Sequence, residues 1–240
     1  MKQLLYRIYL ICVMMPVMLA VTVLTALITI TGSLCGGGRW FGYYPPRLWA
    51  RLFLLMTLVR VKVKGRENVD PHTSYVFVAN HQGAYDIFTI YGYLNHNFRW
   101  MMKRGLRKIP FVGLACAASG QIFVDNSSPS AVRNTMEHAE RTLRDGMSLV
   151  VFPEGSRTFT GRMGPFRKGA FQLSMEFKLP VVPVTIDGAF DVMPRTALFP
   201  HWGTIRLTIH PAIEAPADEA DRQRVIDASY AAVISALPRQ

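Results

Sequence analysis

From Ile8 to Gly38 the chain carries no charged residue, and no acidic side chain precedes Glu67. The run exceeds the roughly 20 apolar residues that carry a helix across a bilayer. Lys2 and Arg7 resemble the basic start of a secretory signal. Such signals have an apolar stretch of only about 7–15 residues, so a retained membrane segment is expected instead. Pro16 and Gly36-Gly37-Gly38 divide the region. A second apolar segment, Trp40 to Val59, carries Arg47 and Arg51 one helical turn apart beside Trp40, Trp49 and Phe53. That mixture predicts a helix at headgroup level, with aromatics inward and arginines towards phosphate. Either the first segment spans and the second lies at the interface, or the two form a hairpin in one leaflet. Basic residues flank both ends, so charge asymmetry does not choose. The expected division is residues 1–58 for membrane association and residues 59–240 for a catalytic unit.

From Val59 onward the chain has an α/β pattern. Val59 to Lys64 alternates apolar and basic residues, the pattern of a half-exposed edge strand. Strands are expected at Tyr75–Ala79, Phe98–Met102, Gln121–Val124, Ser148–Phe152, Val181–Ile186 and Ile205–Ile209. Helices are expected after His81 through Tyr93, from the Ser128-Pro129 cap to Gly146, from Lys168 to Lys178 and from Arg222 to Leu237. The alternation predicts a mixed, largely parallel sheet flanked by helices. The chain's net charge of +11 implies anionic partners: nucleic acid, phosphorylated metabolites or an acidic membrane surface. Cys12, Cys35 and Cys116 are too far apart for a zinc site or disulfide framework, and are expected to be small buried hydrophobes. Neither a helix-turn-helix nor a zinc-finger pattern is present, so no nucleic-acid partner is expected.

Two strand exits carry reactive side chains where α/β sheets hold ligands, beyond the carboxyl ends of strands. The first is Asn80-His81-Gln82-Gly83-Ala84-Tyr85-Asp86. Residues five apart on one helix point about 140° away from each other. A His81–Asp86 hydrogen bond therefore needs the histidine in the turn before the helix, with Gly83 making that turn. Such a pair suits proton removal, the carboxylate fixing the imidazole tautomer. The second exit is Phe152-Pro153-Glu154-Gly155-Ser156-Arg157-Thr158. Gly155 permits a tight turn, Arg157 offers a planar donor fork for an anion, and Glu154 accepts from hydroxyls. Arg162, Arg167, Lys168 and the run Lys103 to Lys108 add positive charge. No serine in a nucleophile-elbow setting and no phosphate-binding glycine loop appears, which favours direct attack by a substrate hydroxyl.

These blocks together resemble the glycerolipid acyltransferase family, in particular bacterial 1-acyl-sn-glycerol-3-phosphate acyltransferases. Lys103 to Gly113, the segment Gly120 to Asp125, and Val182-Pro183-Val184-Thr185-Ile186 are similar to the family's remaining motifs, in the family's order. The resemblance implies His81 as general base and Asp86 as its orienting partner. It implies that the loop Glu154, Gly155, Ser156, Arg157 and Thr158 binds the glycerol and phosphate of the acceptor, with Arg157 as main phosphate ligand and Lys103 assisting. The donor would be acyl-CoA or acyl-carrier protein, the acceptor a lysophospholipid, and no metal or other cofactor is expected. The protein would work on the cytoplasmic side of the cytoplasmic membrane. One position departs from the pattern: the second motif often ends in aspartate-arginine, whereas here Asn126 follows Asp125. The acceptor is thereby left open between lysophosphatidate and a lyso-aminolipid. A non-catalytic module for anionic lipids and a thioesterase are the readings from other classes.

Overall fold

The computed structural model describes residues 1–125, 127–144 and 146–238, so Asn126 lies outside the described residues. The N-terminal apolar run forms one long helix in segments. Helix α1 (Lys2–Tyr9) passes through a π-helical turn at Leu10–Met14 into α2 (Met15–Gly32). Pro16 has no N–H to donate and its ring crowds the preceding turn; the widened turn just before it accommodates both. A second π-helical turn, Ser33–Gly37, leads into the short α3 (Gly38–Phe41) and then α4 (Tyr44–Met56). The stretch Lys2–Phe41 is long and apolar enough to cross a membrane.

Helix α4 returns antiparallel to α1 and α2. Tyr6 donates to the Thr57 carbonyl at 2.8 Å, Tyr9 to that of Met56 at 3.0 Å, and Trp49 Nε1 to Thr22 Oγ1 at 2.8 Å. Tyr6, Leu10, Met14 and Met18 are buried by this packing, while Leu5, Ile11, Leu19, Leu24 and Leu27 on the same helix are exposed. Cys12 and Cys35 are also exposed, rather than buried as expected. The opposite side of α4 enters the main core, with Ala50 and Leu54 fully buried and Phe53 stacked on Phe88 at 3.8 Å. Arg47 and Arg51 also have partners within the protein. They reach the end of the helix that follows His81, Arg47 to Asn95 Oδ1 at 2.7 Å and Arg51 to the Gly92 carbonyl at 2.8 Å. Carbonyls unpaired at a helix C-terminus attract cations, which accounts for the Arg51 contact.

In chain order the remaining elements are β1 (Val59–Lys64), β2 (Val76–Ala79), α5 (Tyr85–Tyr93), β3 (Phe98–Lys103), α6 (Val112–Ala118), β4 (Ile122–Val124), α7 (Pro129–Arg144), β5 (Ser148–Val151), α8 (Gly169–Phe177), β6 (Val181–Asp187), α9 (Ala189–Val192), β7 (Gly203–Ile209) and α10 (Glu219–Ser235). The seven strands lie in the order β1-β7-β6-β2-β5-β3-β4, parallel except for the β6–β7 pair. The fold is thus the expected mixed, largely parallel sheet, with the basic strand β1 at one edge. Alternation along β2 distributes its side chains. Phe77 and Ala79 pack with α4 and α5, while Val76 and Val78 pack with Phe171 of α8 and Val225 of α10. The register decides where the two reactive exits meet. Val78 lies beside Val151, so His81 and Glu154, each three residues further on, leave the sheet side by side.

Candidate active site

His81 occupies the turn between β2 and α5, and Asp86 sits in the first turn of that helix. His81 Nδ1 is 2.7 Å from Asp86 Oδ2, which also accepts from the Gly83 amide at 2.8 Å. The carboxylate is fully buried; burial pushes it above the usual carboxylate range, while His81 and the Gly83 amide pull it back. Gly83 lies in the turn before α5, as expected, with a backbone that is not left-handed. A Cβ there would stand 2.9 Å from the Met193 carbonyl and 3.1 Å from that of Ala189, so close approach of α9 requires the glycine.

Neighbouring residues hold the histidine from three sides. Its ring lies flat on Phe152, centroids 3.9 Å apart, and Phe152 stacks on Trp100 at 5.3 Å. Its amide donates to Glu154 Oε1 at 2.6 Å, and its carbonyl accepts from the Thr158 amide at 3.0 Å. Asn80 extends the sheet by one rung, its side chain exchanging hydrogen bonds of 2.9 and 2.8 Å with the Ile186 main chain. Sequence alone assigns a role to neither Phe152 nor Asn80. Asn at the end of a buried strand, just before the histidine, is the available signal for the latter.

The second loop is brought to the same place. Glu154 Oε2 accepts from the Gly164 amide at 2.7 Å, so its two oxygens fasten separate main-chain segments around His81. Burial raises the Glu154 carboxyl above its ordinary range, opposed by those two amides. Gly155 has φ 77°, a conformation other residues rarely adopt. Ser156 is exposed, and Arg157 is half-buried, its carbonyl accepting from Arg195 Nη1 at 3.3 Å. Thr158 Oγ1 accepts from the Thr160 amide at 3.2 Å. Lys103, at the end of β3, is exposed.

A groove of about 810 Å³ borders His81. Its walls are largely apolar, with Phe88, Tyr91, Trp100, Ile109 and Phe152 among them, and α2 contributes Thr22, Thr25, Ala26 and Thr29. Lys103, Gly155 and Arg167 line it together with His81, whereas Arg157 is absent from its described lining. The site therefore presents a carboxylate-paired imidazole beside an apolar channel and two cations.

A family model described as Acyltransferase matches residues 60–187. The chain belongs to the acyltransferase family. It is 32% identical over 178 residues to a chloroplastic 1-acyl-sn-glycerol-3-phosphate acyltransferase of Brassica napus, covering 73% of this chain and 51% of that protein. It is 31% identical over 172 residues to the 1-acyl-sn-glycerol-3-phosphate acyltransferase of Pseudomonas aeruginosa, covering 70% and 66%. The chain spans about half the length of the first of these relatives. Among solved structures it resembles the 1-acyl-sn-glycerophosphate (LPA) acyltransferase PlsC from Thermotoga maritima, with a TM-score of 0.80 at 24% identity, covering 100% of this chain and 98% of that one. This acyltransferase fold thus includes the N-terminal helices.

Proposed function

We propose that the protein transfers a fatty acyl chain from acyl-CoA or acyl-carrier protein to the sn-2 hydroxyl of 1-acyl-sn-glycerol 3-phosphate, giving phosphatidate. The observation that carries this is the His81–Asp86 pair at 2.7 Å opening on an apolar groove with Lys103 and Arg167 beside it. Asp86 holds the proton on Nδ1, which leaves Nε2 free to accept one. The acceptor hydroxyl gives its proton to Nε2 as its oxygen attacks the thioester carbonyl. Asp86 stabilises the imidazolium that results, and the flat contact with Phe152 fixes the plane of the ring. Collapse of the tetrahedral intermediate breaks the C–S bond, and the departing thiolate takes the proton back from Nε2. Arg157 and Lys103 hold the acceptor phosphate, and the apolar groove takes an acyl chain. The relatives' names support lysophosphatidate as acceptor.

The same reading assigns residues 1–58 to membrane attachment and residues 59–240 to the chemistry. The long helix is pinned at Tyr6, Tyr9 and Thr22 to α4 and the residues just after it. Crossing the bilayer would draw the attached body in with it, so the hairpin lies in one leaflet, on the cytoplasmic side. Its exposed leucines and isoleucines face lipid tails.

The test is an assay of purified protein in mixed micelles with acyl-CoA and lysophosphatidate, read by mass spectrometry. Phosphatidate forms with the wild type, and His81→Ala abolishes it while the fold and vesicle binding persist. Thioester hydrolysis without acyl transfer, or equal use of a phosphate-free lyso-aminolipid, would refute the assignment.

A further inference from the structure

The geometry points to Arg167 as a ligand of the acceptor's phosphate, a specificity-determining residue in the groove beside His81. The inference rests on lysophosphatidate being the acceptor. Arg167 is anchored by its own main chain, its amide donating to the Pro153 carbonyl at 3.0 Å. The Gly164 amide bound to Glu154 ties down the same loop three residues earlier. Its guanidinium lies against Gly155: a Cβ on that glycine would stand 3.0 Å from Cζ and 3.1 Å from Nη1. Gly155 thus lets the planar group settle on the loop that borders His81.

Three other arginines are engaged elsewhere. Arg104 pairs with Asp125 and Arg206 with Asp187, while Arg195 lies over the Phe159 ring at 4.1 Å. Arg167 has no carboxylate partner among the described residues. The nearby carboxylate, Glu154, already accepts two main-chain N–H groups. Arg167 and Lys103 are therefore the two cations lining the groove. A phosphate monoester needs a planar donor fork and a point charge, which arginine and lysine supply respectively. Arg167 joins Arg157 and Lys103 in holding that phosphate, from the side of the groove.

Binding and turnover separate the alternatives. Trp49 and Trp100 line the groove, so their fluorescence reports binding without a donor present. With lysophosphatidate below its micelle concentration, Arg167→Gln should raise Kd by about ten-fold or more, the loss of one charge-assisted fork. Arg167→Lys, which keeps the charge and loses the fork, should fall between it and wild type. Binding of monoacylglycerol, the same lipid without phosphate, should not change. In turnover, KM for lysophosphatidate should rise while kcat and KM for acyl-CoA stay at wild-type values. An unchanged Kd for lysophosphatidate, or an equal loss for monoacylglycerol, overturns the proposal. A raised KM for acyl-CoA with lysophosphatidate binding intact also overturns it, since the phosphate would then be the donor's. If lysophosphatidate binds through Arg167 and wild type still forms no phosphatidate, the ligand assignment stands and the acyl-transfer reading falls.

Discussion

Glu154→Gln distinguishes what the sequence expects of this residue from what the structure shows. The expectation is a substrate contact, the carboxylate accepting from a glycerol hydroxyl. In the structure its two oxygens accept from the amides of His81 at 2.6 Å and Gly164 at 2.7 Å. Glutamine keeps one acceptor oxygen and replaces the other with NH₂. One of the two main-chain N–H groups must then face a second donor. A hydrogen bond to a charged group contributes about 1.5–3 kcal/mol. The loss is partly offset because a buried carboxylate, already raised in pKa by burial, is also removed. A net cost of about 2 kcal/mol lowers the melting temperature by roughly 4–8 °C in a chain of this size. The variant should also lose kcat, since His81 is released on its main-chain side, with little change in KM for the acceptor. Melting curves in detergent and acceptor kinetics on the same preparation measure both. An unchanged melting temperature with a raised acceptor KM would refute the clip and restore the substrate contact.

Asp86→Asn removes the charge that holds the Nδ1 proton while keeping the shape. It should lower kcat by about 10³- to 10⁴-fold and leave the melting temperature at or above wild type, because a fully buried carboxylate disappears. Activity near wild type would refute its orienting role. Burial lowers the pKa of His96, hydrogen-bonded to Ser148 at 2.8 Å, and of His210, hydrogen-bonded to Thr185 at 2.8 Å. Each therefore stabilises the fold above the unfolded histidine pKa of about 6.5, and that contribution is lost as pH falls through the depressed folded value. Melting temperature should drop below about pH 6.5, and less steeply in His96→Gln; identical slopes would exclude His96 as a source.

The fold was legible because its signals are local. Strand β1 alternates as written and lies at the edge, and the Ser128 hydroxyl caps α7 by accepting from the Ala131 amide at 3.1 Å. The His81–Asp86 bond was legible for the same reason, since helix geometry constrains residues five apart. Contacts depending on tertiary register were not. Asn80 bonds Ile186, more than a hundred residues away, and Glu154 reaches His81 only because β2 and β5 lie side by side. Arg47 and Arg51 depend on register in the same way. Their helix reads as interfacial from sequence, and only its packing brings the two side chains to the end of α5.

Packing joins the N-terminal apolar helices to the candidate site. Helix α4 lies between the long N-terminal helix and α5, the helix that carries Asp86, with Phe53 and Trp49 both packed on Phe88. Helix α2, whose other face is exposed and apolar, presents Thr22, Thr25 and Thr29 to the groove that borders His81. The same apolar helix is therefore also a wall of the groove. In the proposed reaction an acyl chain passes from bilayer to groove along one helix, without exposing its length to water. At about 0.8 kcal/mol per methylene, keeping a long chain out of water is worth more than the hydrogen bonds at the headgroup. In the proposed reading attachment and catalysis depend on the same packing, and loosening α2 from α4 should impair acyl transfer even where vesicle binding survives.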